Sequence, residues 1–156
     1  MTDVMELPTT TLVFQSGGKV EGGTQGVQWT KSIAIFSRWA AETGLKLLAL
    51  TSLPRDWDSY GSPPPSQVAI NASFDLLDRM PKSVFEDLPI PFVAPVPGGG
   101  IQFDWSVGRR DLELHVMPDG SIQYLRAFGG DILDEGPLKL NPIETRALFA
   151  WLTSTR

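Results

Sequence analysis

Cysteine is absent from this 156-residue chain. Its absence removes disulfides, thiolate metal ligands and cysteine nucleophiles together, and it fits a reducing cytoplasm. Histidine is nearly missing too. His115 stands alone, so any site that needs two imidazoles is excluded. Positive charge is in short supply, with 13 Lys and Arg against 18 Asp and Glu and a net charge of −5. Proteins that hold a phosphate backbone usually carry a basic face, so nucleic acid is not expected as a direct ligand. The local basic pair Arg109-Arg110 falls in a predicted hairpin turn. Long apolar runs are also lacking. The stretch Leu45 to Leu50 is far short of the ~20 residues that span a bilayer. Met1-Thr2-Asp3-Val4-Met5-Glu6 has neither the basic start nor the apolar run of a secretory signal. The expectation is a cytoplasmic protein with no membrane association.

The length fits one domain with a core of its own. Residues 1–28 mix Thr, Gly, Gln and Ser around one short apolar run, Thr11-Leu12-Val13-Phe14, and read as a flexible segment preceding a single α+β domain over 29–156. From Trp29, apolar residues at Ile33, Ile35, Phe36, Trp39 and Ala40 follow a helical stripe. Gly44 is expected to break that helix, with a second helical piece from Leu45 to Leu53. Gly61 and the prolines at 63–65 forbid regular structure before Ser66, which suits the N-cap of a helix burying Ala69, Ala72, Ser73, Leu76, Leu77 and Met80. Asn141-Pro142-Ile143-Glu144 supplies N-cap, N1 proline and N3 acid for a terminal helix with Ile143, Ala147, Leu148, Trp151 and Leu152 on its apolar side.

Between these helices the pattern switches to period two. Phe92 to Val96, Ile101 to Val107, Arg110 to Met117 and Ser121 to Phe128 alternate as strands. A two-residue turn at Gly108-Arg109 pairs Trp105 with Leu112, Phe103 with Leu114 and Ile101 with Val116. A three-residue loop at Pro118-Asp119-Gly120 pairs Val116 with Ile122 and Leu114 with Tyr124. Both turns place the same residues on one face, which fixes the register, because a one-residue slip would invert every side chain. Residues 129–140 read as a Gly/Asp-rich connection. The expected architecture is a four-stranded antiparallel meander with helices packed on one face.

The register also defines a polar face, where Asp104 lies across from Glu113 and Gln102 across from His115, with Gln123 beside His115. Facing carboxylates repel, and a divalent cation or a basic group from a partner would relieve them. Asp104, Glu113 and His115 are hard-ligand types suited to magnesium or manganese, so one reading is a metal-dependent hydrolase. The other is a solvated sheet face, or one neutralised by Arg126 or by the N-terminal segment. Trp57, Asp58 and Tyr60 crowd a turn that either caps the edge of the core through an Asx turn at Asp58 or presents aromatic anchors to a partner. Gly98-Gly99-Gly100 joins two strands and leads into no helix, so it is a hairpin turn and not a phosphate cradle.

Trp57-Asp58-Ser59-Tyr60-Gly61-Ser62-Pro63-Pro64, followed by a helix and then Gly99-Gly100-Ile101-Gln102-Phe103-Asp104-Trp105 and Leu112-Glu113, resembles a group of uncharacterised small bacterial proteins. These carry W-D-x-Y-G before a helix and G-G-I-x-x-x-W before L-E. The resemblance covers about residues 45–125 and implies this architecture in a bacterial or phage protein. Small proteins of this kind often belong to toxin–antitoxin or defence operons. The reading taken from the sequence is a non-enzymatic, cofactor-free module, antitoxin-like or a regulatory subunit. It would bind a protein partner with a basic surface through Trp57, Asp58, Tyr60, Asp104 and Glu113.

Overall fold

The structure, a computed structural model, describes residues 25–80 and 87–154, with side chains from residue 38 onward. Helix α1 (Gln25–Leu50) and helix α2 (Gln67–Arg79) precede strands β1 (Phe92–Val96), β2 (Gly100–Val107), β3 (Arg110–Val116), β4 (Ile122–Phe128) and β5 (Asp131–Pro137), and helix α3 (Pro142–Thr153) closes the chain. The five strands form one antiparallel sheet in the order β1-β2-β3-β4-β5. The class is α+β, as expected. Most of the segment read as an N-terminal tail, and the apolar residues Trp29, Ile33, Ile35 and Phe36, lie outside the described residues or side chains; α1 begins at Gln25.

Two expectations need correction. The sheet has five strands and not four, because residues 131–137 of the presumed connection form β5. Gly129 and Gly130, with φ of 61° and 93°, make the two-residue turn that sends the chain back along β4. Such paired positive-φ residues match the twist of a tight hairpin. Nor does Gly44 break α1, which runs unbroken to Leu50. Glycine costs only about 1 kcal/mol inside a helix, and here Trp39, Thr43, Leu47 and Leu50 bury one stripe around it. A Cβ on Gly44 would sit 3.9 Å from the Phe74 ring of α2, so the glycine marks where the two helices approach.

The hairpin registers are those that the turns require. Ile101, Phe103 and Trp105 pair with Val116, Leu114 and Leu112, and Leu114 and Val116 pair in turn with Tyr124 and Ile122. Apart from the half-buried Tyr124, these side chains are buried, and they meet Leu47, Ala69, Leu76, Leu77, Leu148, Phe149 and Leu152 from the three helices in one core. Trp105 lies at its centre, stacked on Phe103 at 5.9 Å and edge-on to Phe149 at 5.3 Å. Across the β1–β2 turn, Gly100 approaches β3 so closely that a Cβ there would lie 2.8 Å from the Val116 carbonyl oxygen.

Local capping chemistry sets the helix ends. Ser66 Oγ accepts from Ala69 N–H at 3.0 Å and donates to Pro118 O at 2.7 Å, which ties the start of α2 to the β3–β4 loop. Asn141 Oδ1 accepts from Glu144 N–H at 2.8 Å, while Glu144 Oε2 accepts from Lys139 N–H. The box is thus half-closed, its second arm reaching two residues beyond the N-cap backbone N–H of a full capping box. α3 buries Thr145, Leu148, Phe149 and Leu152. Ile143, expected on the apolar side, is 82% exposed. The i, i+3, i+4, i+7 stripe that starts at Thr145 leaves it outside. Helix α1 is fastened to the approach of β1 by Trp39 Nε1, which donates to Pro89 O, and by Lys46 Nζ, which donates to Pro91 O at 2.9 Å.

Phe103→Ala and Leu114→Ala should each lower stability by about 2–5 kcal/mol in denaturant melts, whereas Gln123→Ala, on the exposed face, should change it by less than about 0.5 kcal/mol. Gly100→Ala should also destabilise clearly, because the β3 backbone beside it cannot move without breaking the ladder.

Candidate functional site

All three helices pack on one face of the sheet. The other face carries three cross-strand rows. Phe92, Asp104, Glu113, Leu125 and Glu135 form the first, Ala94, Gln102, His115, Gln123 and Pro137 the second, and Ser106, Asp111, Ala127 and Ile132 the third. Four of these residues are acidic and none is Lys or Arg. The arginines of the sheet lie on the helical side. Arg126 sits 5.0 Å and Arg110 5.7 Å from the ring of Trp151 in α3. Arg126 also forms a two-pronged pair with Asp134, its Nε donating at 2.6 Å and its second nitrogen to the other carboxylate oxygen. That contact holds the Asp134 carboxyl below the usual carboxylate range. The arginines of the strands are therefore confined to the helix side, where Asp134 joins Arg126, while the three rows of the open side hold carboxylates with no Lys or Arg.

Asp104 and Glu113 face one another as the register requires. Each has a polar residue two positions along its own strand, but only that of Asp104 hydrogen-bonds to it. Gln102 Nε2 donates to both Asp104 oxygens, at 2.9 and 3.1 Å. His115 Nε2 lies 2.5 Å from Glu113 Oε1, though without the alignment of a hydrogen bond. Among the described residues no three His, Asp or Glu side chains are placed to hold a metal ion together. Asp104, Glu113 and His115 are therefore not gathered into a three-ligand site. Beside it lies an open concavity of about 360 Å³, lined among others by Glu113, His115, Gln123, Leu125, Glu135 and Pro137.

The Trp57 turn is a separate structure. Asp56 and Ser59 adopt left-handed backbone, with φ of 62° and 63°. Such residues cost about 1–3 kcal/mol each and persist only when their surroundings over-determine them. Here the surroundings are hydrogen bonds from within the turn. Asp56 N–H donates to Ser62 O, and Asp56 Oδ1 accepts from Gly61 N–H at 2.6 Å. Asp58 accepts from Tyr60 N–H at 3.0 Å, Ser62 N–H at 3.2 Å and Ser62 Oγ at 2.5 Å. The Ser62 hydroxyl, followed by these backbone N–H groups, holds the Asp58 carboxyl below its ordinary range. Trp57 is half-buried, with Nε1 donating to Pro63 O at 3.0 Å. Tyr60 projects from the tip and is 92% exposed.

Of the five residues expected to contact a partner, Trp57 and Asp58 build the turn, Tyr60 is displayed by it, and Asp104 and Glu113 lie on the open sheet face. The turn is tied to the start of β2 through Ser66 N–H, which donates to Gly99 O at 3.0 Å. Trp57, Asp58 and Tyr60 thus share one turn before α2, while Asp104 and Glu113 face each other on β2 and β3, so the five residues fall on two different elements of the fold. Leu125, on β4 opposite Glu113, and Glu135, on β5, complete the row; Glu135 was missed because β5 was not foreseen. The Gly129-Gly130 turn was the available signal. Comparison with protein-family models, with curated proteins and with solved structures finds no match.

Removal of the Asp58 carboxylate should loosen the turn in a pH-dependent way. Its folded-state pKa is depressed, so its contribution is fully present above the unfolded value of about 3.9 and is lost as pH falls through the folded value. Thermal melts of the wild type and Asp58→Ala should therefore differ by a constant amount above about pH 5 and converge below it. A gap that persists unchanged to pH 2.5 would show that the carboxylate charge is not what holds the turn.

Proposed function

We propose that this chain is a non-enzymatic, acidic protein-binding module, an antitoxin-like or regulatory subunit, whose partner presents a basic surface. The observation that carries the reading is the open sheet face, with Asp104, Asp111, Glu113 and Glu135 and no Lys or Arg in its three rows. A single-sign face speeds encounter with the opposite charge and repels wrong partners. Support also comes from Tyr60, an amphipathic ring held out on a turn already fixed by internal hydrogen bonds. Tyrosine in a pre-ordered setting loses little freedom on binding and is a frequent interface anchor. Among the described residues no helix is long and apolar enough to cross a membrane.

The test is co-expression with the product of a neighbouring gene and measurement of the complex. Affinity should fall with added salt, and Asp104→Lys with Glu113→Lys should weaken it at least thirtyfold, about 2 kcal/mol. Tyr60→Ala should leave the melting temperature unchanged and weaken the complex, because the ring touches nothing it stabilises. Trp57→Ala should lower the melting temperature, because its indole fastens the turn to Pro63. A complex indifferent to salt, to the double charge reversal and to Tyr60→Ala would end the proposal.

A further inference from the structure

The open face has no covering layer among the described residues, although it is not a uniformly hydrated surface. Its acidic row begins at Phe92, 63% exposed, and has half-buried Leu125 between Glu113 and Glu135; Ile132, 63% exposed, lies in the neighbouring row. Apolar contacts thus flank a carboxylate band. We propose that this face receives an amphipathic helix of the partner, with lysine or arginine bordering its apolar stripe. The inference rests on the protein-binding reading and names the kind of element that docks.

A helix is the element that fits. A single extended segment laid on a sheet face leaves its own backbone N–H and C=O groups without partners, whereas a helix satisfies them internally. Extended segments add instead at sheet edges, and both edges here are defended. β1 carries Pro95, and β5 carries Asp131, Asp134, Glu135 and Pro137. Charges and proline in such positions discourage strand addition. The first row crosses four strand spacings, about 19 Å, which matches the length of a helix of about 13 residues. A helix on this face would make a third layer opposite α1, α2 and α3, with apolar residues against Phe92, Leu125 and Ile132 and basic ones over Asp104, Glu113 and Glu135.

A second copy of the chain is a poor occupant. Two open faces brought together would set four carboxylates against four others, with no Lys or Arg from either face to neutralise them. The charge of the face therefore selects a cationic helix from a different protein.

The probe is a synthetic Leu/Lys amphipathic helix of about 14 residues, long enough to cover the row. Two controls accompany it. One has the same composition in an order that destroys the apolar stripe, and the other has glutamate in place of lysine. In NMR titrations of the full chain the first peptide should move the amide signals of Phe92, Asp104, Glu113 and Leu125 and leave those of α3 unchanged. It should bind at least tenfold more tightly than the shuffled peptide, and the glutamate version should not bind. Asp104→Asn with Glu113→Gln, which preserves shape and removes charge, should weaken binding at least fivefold with an unchanged melting temperature. Equal binding of the shuffled peptide would reduce the effect to bulk electrostatics and overturn the proposal. So would shifts spread over the whole surface, or sedimentation showing a dimer that protects the open face. If a native partner protects Asp104 and Glu113 from hydrogen exchange while its own protected segment is a loop or strand, the module reading stands and the helix falls.

Discussion

The register between β2 and β3 is the constraint on which everything else rests. It sends Ile101, Phe103 and Trp105 inward with Leu112, Leu114 and Val116, and the same alternation sends Gln102, Asp104, Glu113 and His115 outward. Core and candidate site are therefore two sides of one decision. Trp105 makes the decision costly to reverse, since it contacts Phe103 within the sheet and Phe149 across the layers. A slip of one residue would bury two facing carboxylates and expose the largest apolar side chains, a penalty far above the few kcal/mol by which domains are stable.

The two patches are stabilised by different means. On the sheet, the backbone ladder fixes the carboxylates, and Gln102 donates to both oxygens of Asp104. At the turn no ladder exists, and two left-handed residues are held by side-chain acceptors that reach back over four to five residues. Asp58 performs three hydrogen-bonding tasks there with one carboxylate. The turn is a small scaffold in its own right, joined to the sheet through Ser66 and Gly99.

The strand register and the capped helices were legible because each was specified twice, by periodicity and by a turn or cap residue. The facing of Asp104 and Glu113 followed from that register alone. What could not be read were features that depend on packing between distant segments. Gly44 looks like a breaker until the Phe74 ring is seen beside it. β5 has only one strongly β-favouring side chain, Ile132, and its strand character comes from pairing with β4 and from the Arg126–Asp134 contact. The division of labour within Trp57, Asp58 and Tyr60 was equally hidden, because sequence places them side by side while burial separates the fastened indole from the displayed phenol.

The distribution of charge across the sheet has a consequence for how the molecule behaves in a crowd. The open face carries Asp104, Asp111, Glu113 and Glu135 with no Lys or Arg in its three rows, so two copies approaching face to face would set like charge against like charge, and this is the surface least able to pair with its own twin.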